Sequence, residues 1–575
     1  MASTLISPGV LARENNTSQV SQQPVAVGAA IIGPTAKGPI QIPTLVTSYQ
    51  DYVNKFGDVV SITSASITNN YSYFTSIAVY NYFLNGGQTM LVTRVVSGSY
   101  TPATSTAISS SLSTNAFTLE TLSQGAIMNS TSPEISGSLT SGSNDNLRWE
   151  IVSPNTASGT FTLLIRRGND QSPVNKTILE QYTNVSLDPY SPNYIASAIG
   201  DYTYTYTTDS STGAAYLQLS GSYPNRSKYI RVKSVNLMTP YYLNNYGVAQ
   251  SQYTASIPLA ASGSFGGATG TVSTSSTFYD QISDGNMQGL VAANYTNSIA
   301  LLANKDDYQY NVLLTPGLIN NFTSNVSVQS TIISNVQDRG NSIYVIDLVG
   351  YGKQVGDVVN QSIAAPNTTY AASYWPWVLV QDPATGKNVW VPASTLIGGV
   401  YAYTDIVAGP WFAPAGINRG GLGSVIRPER RLSQGDRDTL YINSVNPIAS
   451  FPGKGVVVYG NKTLTNIPSA LDRVNVRRLL IALKSYISQI ANNLVFEQNT
   501  IATRNVFLSQ VNPYLASVQQ KQGLYAFKVV MDSTNNTPDV IDRNQLIGQI
   551  FIQPTKTAEF IYLDFNITPT GVSFS

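Results

Sequence analysis

The placement of its unbroken apolar runs limits this chain more than any other feature. Val25 to Gly33 reads VAVGAAIIG, a short apolar run that suits a buried strand. Comparable runs return only after about residue 301, at Val312-Leu313-Leu314 ahead of Pro316-Gly317 and at Ile343-Tyr344-Val345-Ile346. From about 100 to 285 the texture is instead Ser/Thr/Gly-rich with short alternating segments. Tyr202, Tyr204 and Tyr206 alternate with Thr203 and Thr205, and a turn-rich stretch leads to Ala214–Leu219, the pattern of a β-hairpin. Phe161–Arg166 reads as a further strand, and the Gly/Ser/Thr-rich Ser262–Ser276 as a loop. The expected fold is therefore an α/β (α+β) core with a β-rich insertion of one unit or two.

Around the insertion, Tyr73–Leu84 reads as a helix closed by Asn85-Gly86-Gly87, followed by a strand at Leu91–Val96. A helix is expected over Val326–Val336. Leu471–Asn492 carries Val476, Leu479, Leu480, Leu483, Ile487 and Ile490 at spacings of three and four, one apolar helical face. Ile501–Gln520 is a further helix that Pro513 is expected to break or kink. Residues 1–24 are polar and read as an arm. At the other end, Ile561, Leu563, Phe565 and Ile567 share one face of a strand too short to stand alone.

The chemistry open to this chain is narrow. It has no Cys and no His, which removes thiolate nucleophiles, Cys-ligated zinc and the commonest general base. No GxxxxGK[ST] phosphate cradle occurs. A carboxylate-pair glycosidase or a Ser–Lys hydrolase remains formally open, as does a secreted β-rich adhesin or surface protein. The start, Met1 to Pro8, lacks the basic and apolar regions of a signal peptide, and no apolar run approaches the ~20 residues that span a bilayer. The expectation is synthesis in a cytoplasm without export and without membrane insertion. Asp306-Asp307 and Asp436-x-Asp438 read as solvated carboxylates, so no metal or cofactor is expected. Trp375 and Trp377 read as a packed aromatic corner or a binding platform.

Charge is sparse, with DEKR at 11% where a quarter is usual, and the formal net charge is +1. Within it, residues 419–484 hold eleven basic side chains (Arg419, Arg427, Arg430, Arg431, Arg437, Lys454, Lys462, Arg473, Arg477, Arg478, Lys484) against four acidic ones. Arg473, Arg477 and Lys484 fall near one helical face, with Arg478 about 100° around the helix from Arg477. Two readings stand: a solvated face with mixed ion pairs, or a cationic stripe facing an acidic partner.

The motifs occur in a telling order. Tyr374-Trp375-Pro376-Trp377-Val378 with Gln381-Asp382-Pro383 leads to Val391-Pro392-Ala393-Ser394, Gly398-Gly399-Val400-Tyr401-Ala402 and Thr404-Asp405. Gly409-Pro410-Trp411, Asn446-Pro447-Ile448, Phe451-Pro452-Gly453, Tyr459-Gly460-Asn461, Val474-Asn475-Val476-Arg477-Arg478 and Phe496-Glu497-Gln498-Asn499 follow. Pro8-Gly9-Val10 with Glu14, Gly33-x-Thr35-x-x-Gly38-Pro39 and Asn85-Gly86-Gly87 precede them. This series resembles the contractile phage tail sheath family (myovirus-type), with Tyr459 and Asn461 departing from a commoner Trp-Gly-Ala/Ser. The resemblance is weakest from about 200 to 285.

What the resemblance implies is a non-enzymatic structural subunit. It would polymerise helically around a tail tube and contract to drive the tube through a host envelope for genome delivery. A phage-derived bacteriocin or other injection-system sheath is the near alternative. The implied layout is an N-terminal linking arm at 1–24, a middle α/β domain from 25–100 plus 286–399, and an outer insertion at 101–285. An inner tube-facing α/β domain at 400–557 and a C-terminal linking arm at 558–575 complete it. The arms, around Leu5, Pro8, Gly9, Val10 and Glu14 and around Phe560, Ile561, Leu563, Phe565 and Ile567, would add strands to neighbouring subunits. Asn15–Gln23 would supply slack at the front and Asp532–Thr537 at the rear. Arg473, Arg477 and Lys484, and less directly Arg478, would face the tube. Implied partners are further copies, the tube, baseplate and tail terminator proteins, with no direct nucleic acid. The implied location is the virion tail, assembled in the host cytoplasm. Purified protein is expected to show no nucleotide or glycoside hydrolysis. Turnover that survives further purification and scales with this chain would overturn the non-enzymatic reading.

Overall fold

The computed structural model of the chain describes residues 27–64, 67–130, 142–170, 176–273 and 275–560. Leu5, Pro8, Gly9, Val10, Glu14, Ile561, Leu563, Phe565 and Ile567 lie outside the described residues. The centre is an eight-stranded sheet of β1 (Val27–Gly33), β2 (Thr44–Val46), β3 (Met90–Arg94), β4 (Tyr310–Ile319), β5 (Ile343–Asp347), β6 (Ala371–Trp375), β7 (Val445–Phe451) and β8 (Gly455–Val458). Their order is β2-β3-β1-β4-β5-β6-β7-β8. The six strands from β3 to β7 are parallel, and β2 and β8 close the sheet as antiparallel edges. The sheet thus continues across the expected boundary at 399/400.

The apolar runs follow from burial on both faces. Ala29 and Ile31 of β1 pack on one side with Val312, Leu314 and Val345. Ala30 and Ile32 pack on the other with Leu313, Tyr344 and Ile346. Helices α1 (Phe74–Leu84), α2 (Val326–Arg339) and α3 (Ser394–Val407) cover these faces. The pair Gly398-Gly399 lets α3 sit close. A Cβ at Gly398 would come within 2.7 Å of Leu314, and one at Gly399 within 2.7 Å of the Asn81 carbonyl oxygen in α1. Both tryptophans of the Trp-Pro-Trp motif are buried, and Trp377 packs edge-on to Phe74 while its indole N–H donates to Val349 O at 2.9 Å. The motif is a packed corner.

Between β3 and β4 the chain builds a separate seven-stranded antiparallel sheet. Its order is Ile178–Ser186, Thr160–Arg167, Leu147–Asn155, Ala261–Gly266, Pro102–Ser105, Phe117–Gln124 and Ile230–Val235. The expected hairpin forms beside it, with Thr203–Thr208 paired to Ala215–Ser220. Ser262–Ser276, expected as a loop, instead begins within a central strand of this sheet. A Cβ at Gly263 would fall 2.5 Å from the Trp149 ring, so the absence of side chains is what admits Trp149 to the core. Buried Arg94 joins the two sheets: its Nη1 donates to the carbonyls of Gly38 (2.6 Å) and Gln124 (2.7 Å).

The longer helices of the C-terminal part are α4 (Gln434–Ile442), α5 (Val474–Asn492) and α6 (Ile501–Gln520). α6 runs through Pro513, against the expectation of a break. Phe507, Val511, Leu515 and Val518 are buried along one side of it. Pro513 and Ser509, whose carbonyl loses its partner, are both exposed, so water can take the lost bond. The hairpin β9 (Leu524–Val530) and β10 (Gln549–Pro554) lies against α6.

Asp347 ends β5 fully inside the protein, accepting bonds from the Ser394 amide (3.2 Å) and hydroxyl at the start of α3. Burial pushes its carboxyl up to about 7, despite the opposing pull of Ser394. In the unfolded chain the group titrates near 4. Between these values the folded state holds the extra proton, so stability falls as pH rises from about 4 to 7. Asp347→Asn keeps an acceptor and cannot ionise. Its melting temperature relative to the parent should therefore rise from pH 4.5 to pH 7.5, and scanning calorimetry at both values checks this.

Candidate subunit-contact site in the C-terminal region

Helix α5 buries Val476, Leu479, Leu483 and Ile490, so its apolar face is as the spacing requires. Its cationic side chains diverge. Arg473, at the N-cap, grips Glu559 through two bonds, Nε to Oε1 at 2.7 Å and Nη2 to Oε2 at 2.9 Å. Its Nη1 lies 2.9 Å from Asp472. Tyr441 of α4 donates to the same Glu559 carboxylate at 2.5 Å, and Lys462 sits 4.7 Å over the Tyr441 ring. Burial alone would lower the Arg473 guanidinium, and Glu559 outweighs it to hold the group up. Lys462 is pulled down by burial and then by Arg473.

Arg477 turns inward instead. Its guanidinium stacks 3.9 Å over Tyr370 and donates to Thr369 Oγ1, and burial lowers its proton affinity. Arg478 is also buried, donating to both Asp405 oxygens (2.7 and 2.6 Å) and lying 4.4 Å over Tyr401. Lys484 is exposed. The four residues therefore do not form one stripe: an arginine can bury its flat cation against a ring and a carboxylate, and three of the four do so at least in part.

The same device recurs across 419–484. Arg419, Arg427, Arg430, Arg437, Lys462, Arg473, Arg477 and Arg478, eight of the eleven basic residues, lie within 6.0 Å of an aromatic ring centre. The rings of Trp375, Trp390 and Tyr370 take the place of carboxylates, while those of Tyr401 and Tyr441 flank cations that also meet Asp405 and Glu559. Sequence spacing could not find these pairs, because most partners lie tens of residues away. Asp436 is not a free carboxylate either: it caps α4, accepting from the Ser433 amide at 2.9 Å.

Beyond Glu559, the described chain ends at Phe560, whose ring is 69% exposed. The β9–β10 hairpin nearby packs Phe527, Val529, Ile550 and Ile552 inward and leaves Tyr525 and Phe551 outward. Among the described residues these two strands pair only with each other, so both outer edges keep free backbone groups. Asp532–Thr537, expected as slack, is tied down: Asn536 is buried and exchanges bonds with Ile547 at 2.8 Å each way.

An α/β scaffold with an inserted antiparallel sheet and an open-edged C-terminal hairpin defines a multidomain α/β protein. Residues 288–464 match the family model of the phage tail sheath protein central domain, and 467–568 that of the phage tail sheath C-terminal domain. Residues 288–568 thus carry the central and C-terminal domains of the phage tail sheath family. It is 42% identical over 224 residues to the tail sheath protein of Vibrio phage KVP40, covering 39% of this chain and 33% of the relative. Against that of Enterobacteria phage T4 it is 40% identical over 208 residues, 36% of this chain and 32% of the relative. The chain thus spans about a third of the length of these relatives. Among solved structures it is similar to a sheath tail protein from Listeria innocua (TM-score 0.48, 10% identity, 92% of this chain and 95% of that one). It is also similar to the contracted helical sheath of the anti-feeding prophage (TM-score 0.41, 24% identity, 48% and 76%).

The two ion pairs should respond differently. Asp405→Ala strands buried Arg478 and should cost about 1–3 kcal/mol in urea unfolding, less than a fully buried pair because Asp405 is partly solvated. Glu559→Ala should leave that transition nearly unchanged while speeding limited proteolysis near residues 555–560, read by mass spectrometry.

Proposed function

We propose that this chain is the subunit of a contractile sheath, polymerising helically around a tail tube and contracting to drive it through a host envelope. The match of residues 288–568 to sheath domains carries this reading. The role is structural, without turnover of a substrate. The work comes from subunit contacts better satisfied in the contracted lattice, a bistable interface released by a baseplate trigger. Genome delivery, a place in the virion tail and assembly in the host cytoplasm follow from the same reading. The partners are further copies, the tube, the baseplate and the tail terminator.

Linkage by strand addition is supported by the two free edges of β9–β10 and by the tail that starts beside them. A strand from residues 558–567 of one copy, together with a segment from residues 1–24 of another, would extend such an edge. Main-chain hydrogen bonds then hold the link while the rigid bodies turn. In this layout 101–285 lies outermost and 400–557 lines the tube. Of the four cationic residues expected to face the tube, Lys484 is the exposed one, with Arg473 available only if Glu559 lets go.

Removing residues 561–575 keeps the Glu559 clasp and should give a soluble, folded monomer that forms no sheath. Deletion of residues 1–20 should do the same. Full-length contracting sheaths seen by cryo-electron microscopy with either truncation would rule out linkage at that end. Lys484→Glu should weaken extended sheath on tubes while leaving tube-free polymers intact.

A further inference from the structure

A small cavity of about 110 Å³ lies at the neck of the insertion. Its wall combines Thr35 just past β1, Tyr73 just before α1 and Arg94 at the end of β3. Tyr100 and Thr271, from the exit and the return of the insertion, and Gln288 complete it. Arg94 is the one charged residue in this lining. It is 1% exposed, and no carboxylate meets it among the described residues. Burial pulls its guanidinium down to about 10, so at pH 7 it is still a cation. A buried cation without a counter-charge is costly.

Carbonyl oxygens can meet that need, as they do at Arg339, whose Nη1 and Nη2 donate to Leu302 and Tyr308. Arg94 is only part-way there. Nη1 serves both Gly38 and Gln124, and Nε is shut away without a partner, which leaves Nη2 as the nitrogen open to the cavity. The phenol oxygens of Tyr73 and Tyr100 make no hydrogen bond among the described residues, and both act on the charge of Arg94. Burial raises both phenols, so each keeps its proton and can donate. The Tyr100 ring is held in place, 5.3 Å from the Arg94 guanidinium and against Gly270, where a Cβ would fall 2.3 Å from it. Thr35 and Gln288 are engaged elsewhere: the Thr35 hydroxyl donates to Lys37 O at 2.8 Å, and Gln288 Oε1 takes the Phe74 amide at 3.0 Å.

The cavity therefore presents one cation and two O–H donors, the recognition chemistry of an anion. One buried positive charge is balanced by one negative charge, whereas a dianion would leave an excess buried. We propose that the neck cavity binds a single small monovalent anion, chloride in ordinary buffers, on Arg94 Nη2 and the Tyr73 and Tyr100 hydroxyls. The ion touches both the central sheet and the insertion, and so fastens one to the other. It acts in the isolated subunit and needs no second copy.

The full-length chain in gluconate buffer is titrated with chloride at constant ionic strength, following chlorine NMR line width and melting temperature. The melting temperature should rise with chloride and continue to follow its occupancy of the site. Tyr73→Phe and Tyr100→Phe keep the rings, and each should raise the chloride midpoint by about tenfold, the loss of one hydrogen bond to an ion. Crystals of the unaltered chain soaked in bromide give a check that needs no variant, since an anomalous peak should stand beside Arg94. Equal melting in chloride and gluconate, or no peak at Arg94, overturns the proposal. An unchanged midpoint in both variants does so too, by placing the ion elsewhere. Stabilisation by sulfate at a lower concentration than chloride rejects the monovalent anion.

Discussion

Strand β1 has to be covered on both faces and paired on both edges, and the rest of the fold is arranged around that need. Its edges are taken by β3 and by β4, which begins at Tyr310, more than two hundred residues downstream. A parallel neighbour that distant leaves a long excursion to be accommodated. The chain uses it to build a second, antiparallel sheet with its own core around Phe117, Trp149 and Phe161. Arg94, at the end of β3, then ties the excursion back to the first sheet through two carbonyls.

The electrostatics are equally economical. With few carboxylates available, the basic residues of the C-terminal part are neutralised in large measure by ring faces. Each such contact contributes about 0.5–2 kcal/mol and does not demand the desolvation of an anion. Arg477 and Arg478 leave α5 about 100° apart, toward Tyr370 and Tyr401, and fix that helix to the start of β6 and to α3. These cations act as internal pins, and the outward charge of the helix is reduced to Lys484.

The C-terminal unit couples a rigid part to a tethered one. Helices α5 and α6 and the β9–β10 hairpin share one small core, and Asn536 locks the turn between the two strands. The tail leaves this unit past Glu559, held by Arg473 and Tyr441. A subunit that changes neighbours' orientation without losing them needs this combination: a stiff body, a fixed exit point and a free backbone edge. The sheath function proposed for the chain makes use of all three.

Much of the scaffold was legible in the residues themselves. Burial on two faces forces unbroken apolar runs, and burial on one face forces periods of two or of three and four. That is why β1, β4, β5, the 203–220 hairpin and α5 stand where their patterns put them. The ordered Gly, Pro and Trp motifs carried the resemblance to sheath domains, and close packing such as Gly399 against Asn81 leaves no room for a side chain there. Other features were decided only by tertiary contact. The Gly/Ser run at 261–266 became a strand because Trp149 fills the space its side chains do not. Pro513 stayed helical because packing on one side outweighs one lost bond on the wet side. Arg473, Arg477 and Lys484 looked like one face of α5 by angle alone, with Arg478 about 100° away. Their roles were set by Tyr370, Tyr401, Asp405 and Glu559, and a helical wheel holds no information about which ring or carboxylate the fold will bring alongside.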